Sequence, residues 1–217
     1  MEEGEQKLLK FFSKFRKLDY KKHEVIIRAD EIPQGVYYLK KGYVRLYSIS
    51  EAGQELTLII FKPNDVFPIR WAITDASPYY FDTLTPIEVM RAPREQFLEF
   101  LQQDPEVLYK VLSNILIRLG GLLERMEYLI FGDAHQKVAS ILVICAERFG
   151  ITSIRGIIIR VPLTHKDIAN LIGLTRETTS IEIKKLEKLR VLKKESGRFL
   201  IKNVTKLKQE ANWYKFG

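Results

Sequence analysis

Thr175-Arg176-Glu177-Thr178-Thr179-Ser180 gathers side chains whose chemistry suits the edge and backbone of a nucleic acid. A guanidinium can donate two parallel hydrogen bonds to guanine, and a carboxylate can accept from the cytosine amino group. An apolar side chain beside them, as at Ile181, can meet a thymine methyl. Hydroxyls and ammonium groups bond phosphate oxygens, which orients a protein without reading sequence. By this reasoning Arg176, Glu177 and Ile181 are expected to touch bases, and Lys166, Thr175, Thr178, Ser180, Lys184 and, on a following turn, Arg198 are expected to touch phosphates.

Those side chains need a narrow exposed helix, and Leu163–Ile201 supplies one. Thr164 with Asp167 three residues on is a capping pair at a helix start. Ile168, Ala169, Leu171 and Ile172 make an apolar stripe, and Gly173 ends it at a residue that tolerates positive φ. Thr175 then caps a second helix whose Thr179, Ile183 and Leu186 face inward. Ala169 and Gly173 are small where two steeply crossed helices must approach. The pattern is that of a helix-turn-helix, although an ordinary helical pair shares its small residue and glycine. Val191–Lys194 and Phe199–Lys202 around Ser196-Gly197 add a hairpin wing.

The wording DIANLIGLTRETTS resembles the recognition segment of the CRP/FNR transcription regulators, nearest in wording to their carbon-monoxide-sensing haem branch. Arg176 and Glu177 match the pair this family uses on bases. Two positions differ from its habit: Ile181 stands where a second arginine is frequent, and Arg190 where a glycine follows the helix. The resemblance extends to GVYYLKKGYVRLYSISEAGQELTLIIFKPNDVFP, similar to the family's sensor domain, with Gly42 and Gly53 at its turns and Asn64 in place of a third glycine.

The 217 residues suffice for one large domain or two small ones. The net charge of +8 is unevenly placed: residues 134–217 carry 17 Lys and Arg against 7 Asp and Glu, and residues 1–133 carry 18 against 20. The cationic excess thus lies with the two-helix motif, as a phosphate-binding surface requires. A single cysteine, Cys145, excludes an internal disulfide and a thiolate cluster. It falls on an apolar stripe with Val138, Ile141 and Leu142 and is expected in a core. No apolar run reaches the ~18–20 residues of a membrane span, and the acidic start is unlike a signal peptide, so a cytoplasmic location is expected.

The expected class is α+β. An amphipathic helix at 5–18 precedes short strands at Glu24–Arg28, Val36–Leu39, Tyr43–Ser48, Glu55–Phe61 and Pro86–Arg91, with turn residues between them. These indicate an antiparallel sandwich or barrel, and the resemblance specifies a cyclic-nucleotide-binding-like jelly roll over 1–104. A long helix from about Pro105 to Ile130 repeats Leu108, Leu112, Ile115, Leu119, Leu122, Met126 and Leu129 at heptad spacing. That seam suits a homodimer across 105–132, or a helix packed on its own domain. Gly120-Gly121 interrupts it. Phe131-Gly132-Asp133 reads as a hinge, Asp133 as the cap of a helix to about Arg148, and 133–217 as a winged helix-turn-helix domain. The basic aromatic tail 206–217 receives no role.

The resemblance raises the question of a sensed ligand. Cyclic-nucleotide sensors of the family hold phosphate with a Gly-Glu pair and an arginine. Here Phe67-Pro68-Ile69 and Ser77-Pro78 fill those places, and Leu122 and Leu123 replace base-binding hydroxyls. Pro68 and Arg70 stand where the haem branch has its ligands, and the three histidines are scattered, so neither a haem nor a metal nor any other cofactor is expected. Phe67, Arg70, Trp71, Tyr79, Tyr80, Leu122 and Leu123 either fill the barrel or line a pocket for a small aromatic or carboxylated effector. The expectation is a non-enzymatic, homodimeric regulator on a pseudo-palindromic duplex, with RNA polymerase as partner if it activates. A ligand module that uses its C-terminal domain on protein, and a constitutive regulator without effector, are the alternatives.

Overall fold

The computed structural model describes residues 3–75 and 77–213; Met1, Glu2, Ala76 and the end of the tail, 214–217, lie outside the described residues. The chain divides into two compact units, Met1–Gly53 with Leu58–Leu119, and Gln54–Thr57 with Gly120–Gly217.

The first unit opens with α1 (Glu3–Phe12), followed by β1 (Lys17–Tyr20), β2 (Val25–Ile27), β3 (Val36–Lys41), β4 (Val44–Ile49), β5 (Glu55–Phe61) and β6 (Val66–Phe67). After α2 (Ile69–Thr74) come β7 (Tyr80–Thr83), β8 (Ile87–Ala92), α3 (Arg94–Gln103) and the first part of α4 (Pro105–Phe131). The strands form two four-stranded sheets in the orders β1-β8-β3-β6 and β2-β7-β4-β5, with antiparallel pairings throughout those registered. This is the expected jelly roll. Five strands fall close to their expected places; β1, β6 and β7 are additions, too short or too polar to announce themselves.

Two apolar clusters organise this unit. Tyr37, Leu39, Phe61, Phe67, Phe81 and Val89 fill the space among the strands. Leu8, Phe11, Phe12, Phe97, Leu101, Val107 and Val111 join α1, α3 and α4 to the face of β3. The α1 helix ends at Phe12 rather than 18, because Lys17–Tyr20 pairs with β8 instead. Asn64 holds φ +75°, the left-handed geometry for which a turn glycine was expected, and its Oδ1 accepts the Tyr38 hydroxyl at 2.9 Å.

The second unit adds α5 (Ala134–Phe149), β9 (Gly150–Ser153), β10 (Gly156–Ile159), α6 (His165–Ile172), α7 (Arg176–Lys188), β11 (Leu192–Glu195), β12 (Arg198–Ile201) and α8 (Val204–Glu210). Asp133 caps α5 as expected: its carboxylate accepts the Gln136 N–H and the Gln136 side chain returns to the Asp133 N–H. Val138, Ile141, Leu142 and Cys145 are buried on that helix, and burial pushes the Cys145 thiol up to about 12. Of the tail, residues 206–213 are described. Leu207 and Ala211 are buried, and Trp213 stacks on Tyr128 of α4 at 4.8 Å. No helix among the described residues is long and apolar enough to cross a membrane.

Along α4 the apolar side chains part into two sets. Leu108, Leu112, Leu116, Leu119, Leu123, Met126 and Ile130 are exposed, whereas Ile115 packs on the α1–α3 cluster. Leu122 and Leu129 are half-buried. The exposed stripe keeps the 4,3 alternation from Leu112 onward, rotated by one residue at every second position from the series 115, 122, 129 expected from spacing.

Candidate DNA-binding site

Local chemistry builds this site from α6 outward. The Thr164 hydroxyl accepts the Asp167 N–H at 3.1 Å, and the Asp167 carboxylate accepts the Thr164 N–H at 2.7 Å, completing the expected capping pair. Gly173, at φ +66°, sends the chain away after one left-handed residue. Thr175 then accepts the Thr178 N–H at 3.1 Å and starts α7. Thr179, Ile183 and Leu186 face inward as expected, and Ala169 is buried where the two helices meet.

The outward face of α7 carries Arg176, Glu177, Ile181 and Lys184, all exposed. Ile181 leaves 56% of its surface to solvent, so its side chain is open to contact. Among the described residues neither the Arg176 guanidinium nor the Glu177 carboxylate has a hydrogen-bonding side-chain partner, so both are available to a ligand. Thr175 and Ser180 have local partners. The Thr175 hydroxyl donates to Thr178 Oγ1 at 3.0 Å, and the Ser180 hydroxyl donates to the Arg176 carbonyl at 2.7 Å. Lys166 is exposed at the start of α6.

The wing stands beside this face. In the second unit's sheet, ordered β11-β12-β10-β9, Ser196 and Gly197 both take positive φ, 48° and 76°, the turn that matches strand twist in a two-residue hairpin. Arg198 is exposed at its edge, paired in register with Glu195. Arg190 adopts φ +58° directly after α7, so the backbone keeps the turn despite the absent glycine.

The underside of α7 is not legible in the sequence. Glu182 is buried, accepts from Lys185 Nζ at 2.8 Å, and lies 2.9 Å from His135 Nδ1; the other ring nitrogen of His135 lies 3.1 Å from Glu210. These bonds tie α5 and α8 to the back of the recognition helix. A glutamate in a lysine-rich helix carries no sequence mark of such a role. Burial works to raise the Glu182 carboxyl, but the hydrogen bonds from Lys185 and His135, with their charge, together hold it below its ordinary range.

In the sensor unit the aromatic residues expected around a ligand have separate surroundings. Phe67 is fully buried, its ring 5.4 Å from Tyr37 and 5.6 Å from Phe81. Trp71 belongs to the other cluster, under the Arg94 guanidinium. Tyr80 stacks on Tyr47, and Arg70 lies over Tyr79. Two covered guanidiniums of this unit, unanticipated from sequence, face carboxylates: buried Arg45 grips Asp82 through two bonds of 2.7 and 2.8 Å, and half-buried Arg118 bonds Asp65 at 2.6 Å. A third, the buried Arg125 of α4, donates to the Thr57 carbonyl at 3.2 Å. Leu122 and Leu123, on α4, are half-buried and exposed respectively.

Residues 17–104 match the family model of the cyclic nucleotide-binding domain, and residues 136–210 that of the Crp-like helix-turn-helix domain. A global nitrogen regulator of Nostoc sp. is 30% identical over 164 residues, 74% of each chain. The chain belongs to the CRP/FNR family of transcription regulators. Solved structures of similar architecture include a CooA mutant from Carboxydothermus hydrogenoformans, with TM-score 0.77 and 23% identity over 93% of this chain and 90% of that one. FixK2 from Bradyrhizobium japonicum gives TM-score 0.77 and 22% identity over 90% and 96%. CRP/FNR regulators bind DNA and act as dimers, and the homologues are regulators rather than enzymes.

Proposed function

We propose that this CRP/FNR regulator reads its operator with Arg176, Glu177 and Ile181 in the major groove, while Lys166, Thr175, Thr178, Ser180, Lys184 and Arg198 engage phosphates. The observation that carries this reading is the capped start of α7, where a guanidinium and a carboxylate stand exposed and unpartnered beside Ile181. The cation excess of residues 134–217 supports it. Ile181 favours a thymine methyl, so the half-site departs from the usual family sequence at one position.

Two copies pair along α4 through the exposed stripe Leu112, Leu116, Leu119, Leu123, Met126 and Ile130, with Leu108 at its start. This arrangement makes the operator pseudo-palindromic, with half-sites one turn apart, ~34 Å. The protein works without enzymatic activity in the cytoplasm, and RNA polymerase is its partner where it activates. Domain roles follow as sensor (1–104), dimerisation helix and hinge (105–132) and DNA-binding domain (133–217).

Selection of bound duplexes from a random pool, with and without small-molecule cell extract, tests the reading. Enrichment of an inverted repeat supports it; retention of random duplexes alone, with no enriched sequence, overturns base reading. The dispersal of Phe67, Trp71 and Tyr80 among different packing partners favours a second reading, an effector-independent regulator. Equal enrichment in both arms supports that version. A requirement for extract supports an effector acting through α4 on the DNA-binding domain.

A further inference from the structure

His165, the first residue of α6, sits where the helix-turn-helix meets the wing. Its Nδ1 lies 2.9 Å from Ser180 Oγ, and that hydroxyl donates its own hydrogen to the Arg176 carbonyl. Ser180 therefore has no proton to offer the ring, and the 2.9 Å contact is made by an Nδ1–H donor. The imidazole stacks on Phe199 of β12 at 6.2 Å, and Lys194 of β11 lies over that same phenyl ring. Nε2 has no partner among the described residues. The charged groups facing the imidazole are Lys194 from the wing and Arg176, Lys184 and Glu187 from α7. Three of those four are cations, and two of them are expected DNA contacts.

We propose that His165 is a proton-linked DNA contact: neutral in the free protein with Nδ1–H committed to Ser180, it takes a proton from solvent on Nε2 when duplex phosphates seat against Lys184 and Lys194 while Arg176 meets its base. In the free protein, burial and the Lys194, Arg176 and Lys184 charges hold the ring below its usual 6.5, with Glu187 opposing. Phosphates reverse the sign of that local field. Protonation then creates an Nε2–H donor without disturbing the Nδ1–H bond to Ser180, so the recognition helix keeps its position while its flank gains charge. The inference rests on the DNA reading above.

Two measurements test it on the full-length protein. In 15N-histidine-labelled protein at pH 7.5, long-range proton–nitrogen correlation should show the Nδ1–H tautomer for His165 when free, and a doubly protonated ring when bound to the selected operator. Operator affinity should rise as pH falls from 8 to 6, by up to about tenfold per pH unit for each of the dimer's two rings. The salt slope should steepen over the same range by about 0.9 per half-site. His165→Asn keeps an N–H donor near the Nδ1 position but has no site to protonate, and should flatten both gains.

The proposal fails if the free ring carries its proton on Nε2, if it stays neutral in the complex, or if His165→Asn retains the wild-type pH and salt slopes. Failure of every duplex to bind the wild type removes the DNA reading itself and the proposal with it. The free-protein tautomer distinguishes these cases, since it does not depend on DNA.

Discussion

Arg176 and Lys184 share one face of α7, yet their removal should have different consequences. Arg176→Ala takes away a fork that can pair with one base, so it should cost about 1–3 kcal/mol on the operator and relax a single position. Lys184→Ala should weaken specific and scrambled duplexes alike and lower the salt slope by about 1. Gel-shift titration on both DNA types separates them; equal losses for Arg176→Ala would place that side chain on phosphate instead. Thr179 offers a stability test behind the same helix. Its hydroxyl is fully buried and has no hydrogen-bond partner among the described residues. Valine has the same shape without the unsatisfied group, so Thr179→Val should raise stability by about 1 kcal/mol in urea unfolding.

Whether α4 buries a given apolar residue in its own domain or offers it outward decides what a mutation there does. Leu123 is exposed on the stripe, so Leu123→Glu should shift the protein from dimer to monomer in sedimentation equilibrium while its circular dichroism spectrum stays native. Ile115 packs on the α1–α3 cluster, and Ile115→Glu should lower the melting temperature of the sensor unit instead. The same outcome for both would show that exposure does not mark the seam. For α5, Asp133→Ala removes one side of a capping box and should cost about 1 kcal/mol by denaturant unfolding.

Across the molecule the charge is divided between a slightly acidic N-terminal portion and a strongly basic C-terminal one. Each neutralised phosphate contributes about −0.9 to the slope of log affinity against log salt. A dimer using six or more phosphate contacts should therefore lose roughly 10³-fold in affinity between 50 and 200 mM salt. A nearly flat salt profile would favour the alternative in which the C-terminal domain meets protein. A free buried thiol fits the same picture of a packed domain: Cys145 should resist alkylation at pH 8 until the protein is unfolded, because burial keeps the thiolate scarce.

Local sequence dictates the caps at Thr164, Thr175 and Asp133, the turn at Gly173 and the inward set Thr179, Ile183 and Leu186. Each depends on a bond or spacing within a few residues. It also determines the cationic half and the exposed Arg176–Glu177 pair. Short segments such as β1, β6, β7 and β9 were not legible, because they become strands only when a distant partner supplies their hydrogen bonds. Tertiary structure alone decided which side of α4 is covered, since a heptad repeat defines a stripe without saying what packs on it. It alone placed Phe67 and Trp71 in different clusters. It also brought His165 against Ser180 and Phe199, and His135 against Glu182 and Glu210. Those groups lie between 15 and 75 residues apart in sequence, and only the packing of α5, α6, α7, α8 and the wing makes them neighbours.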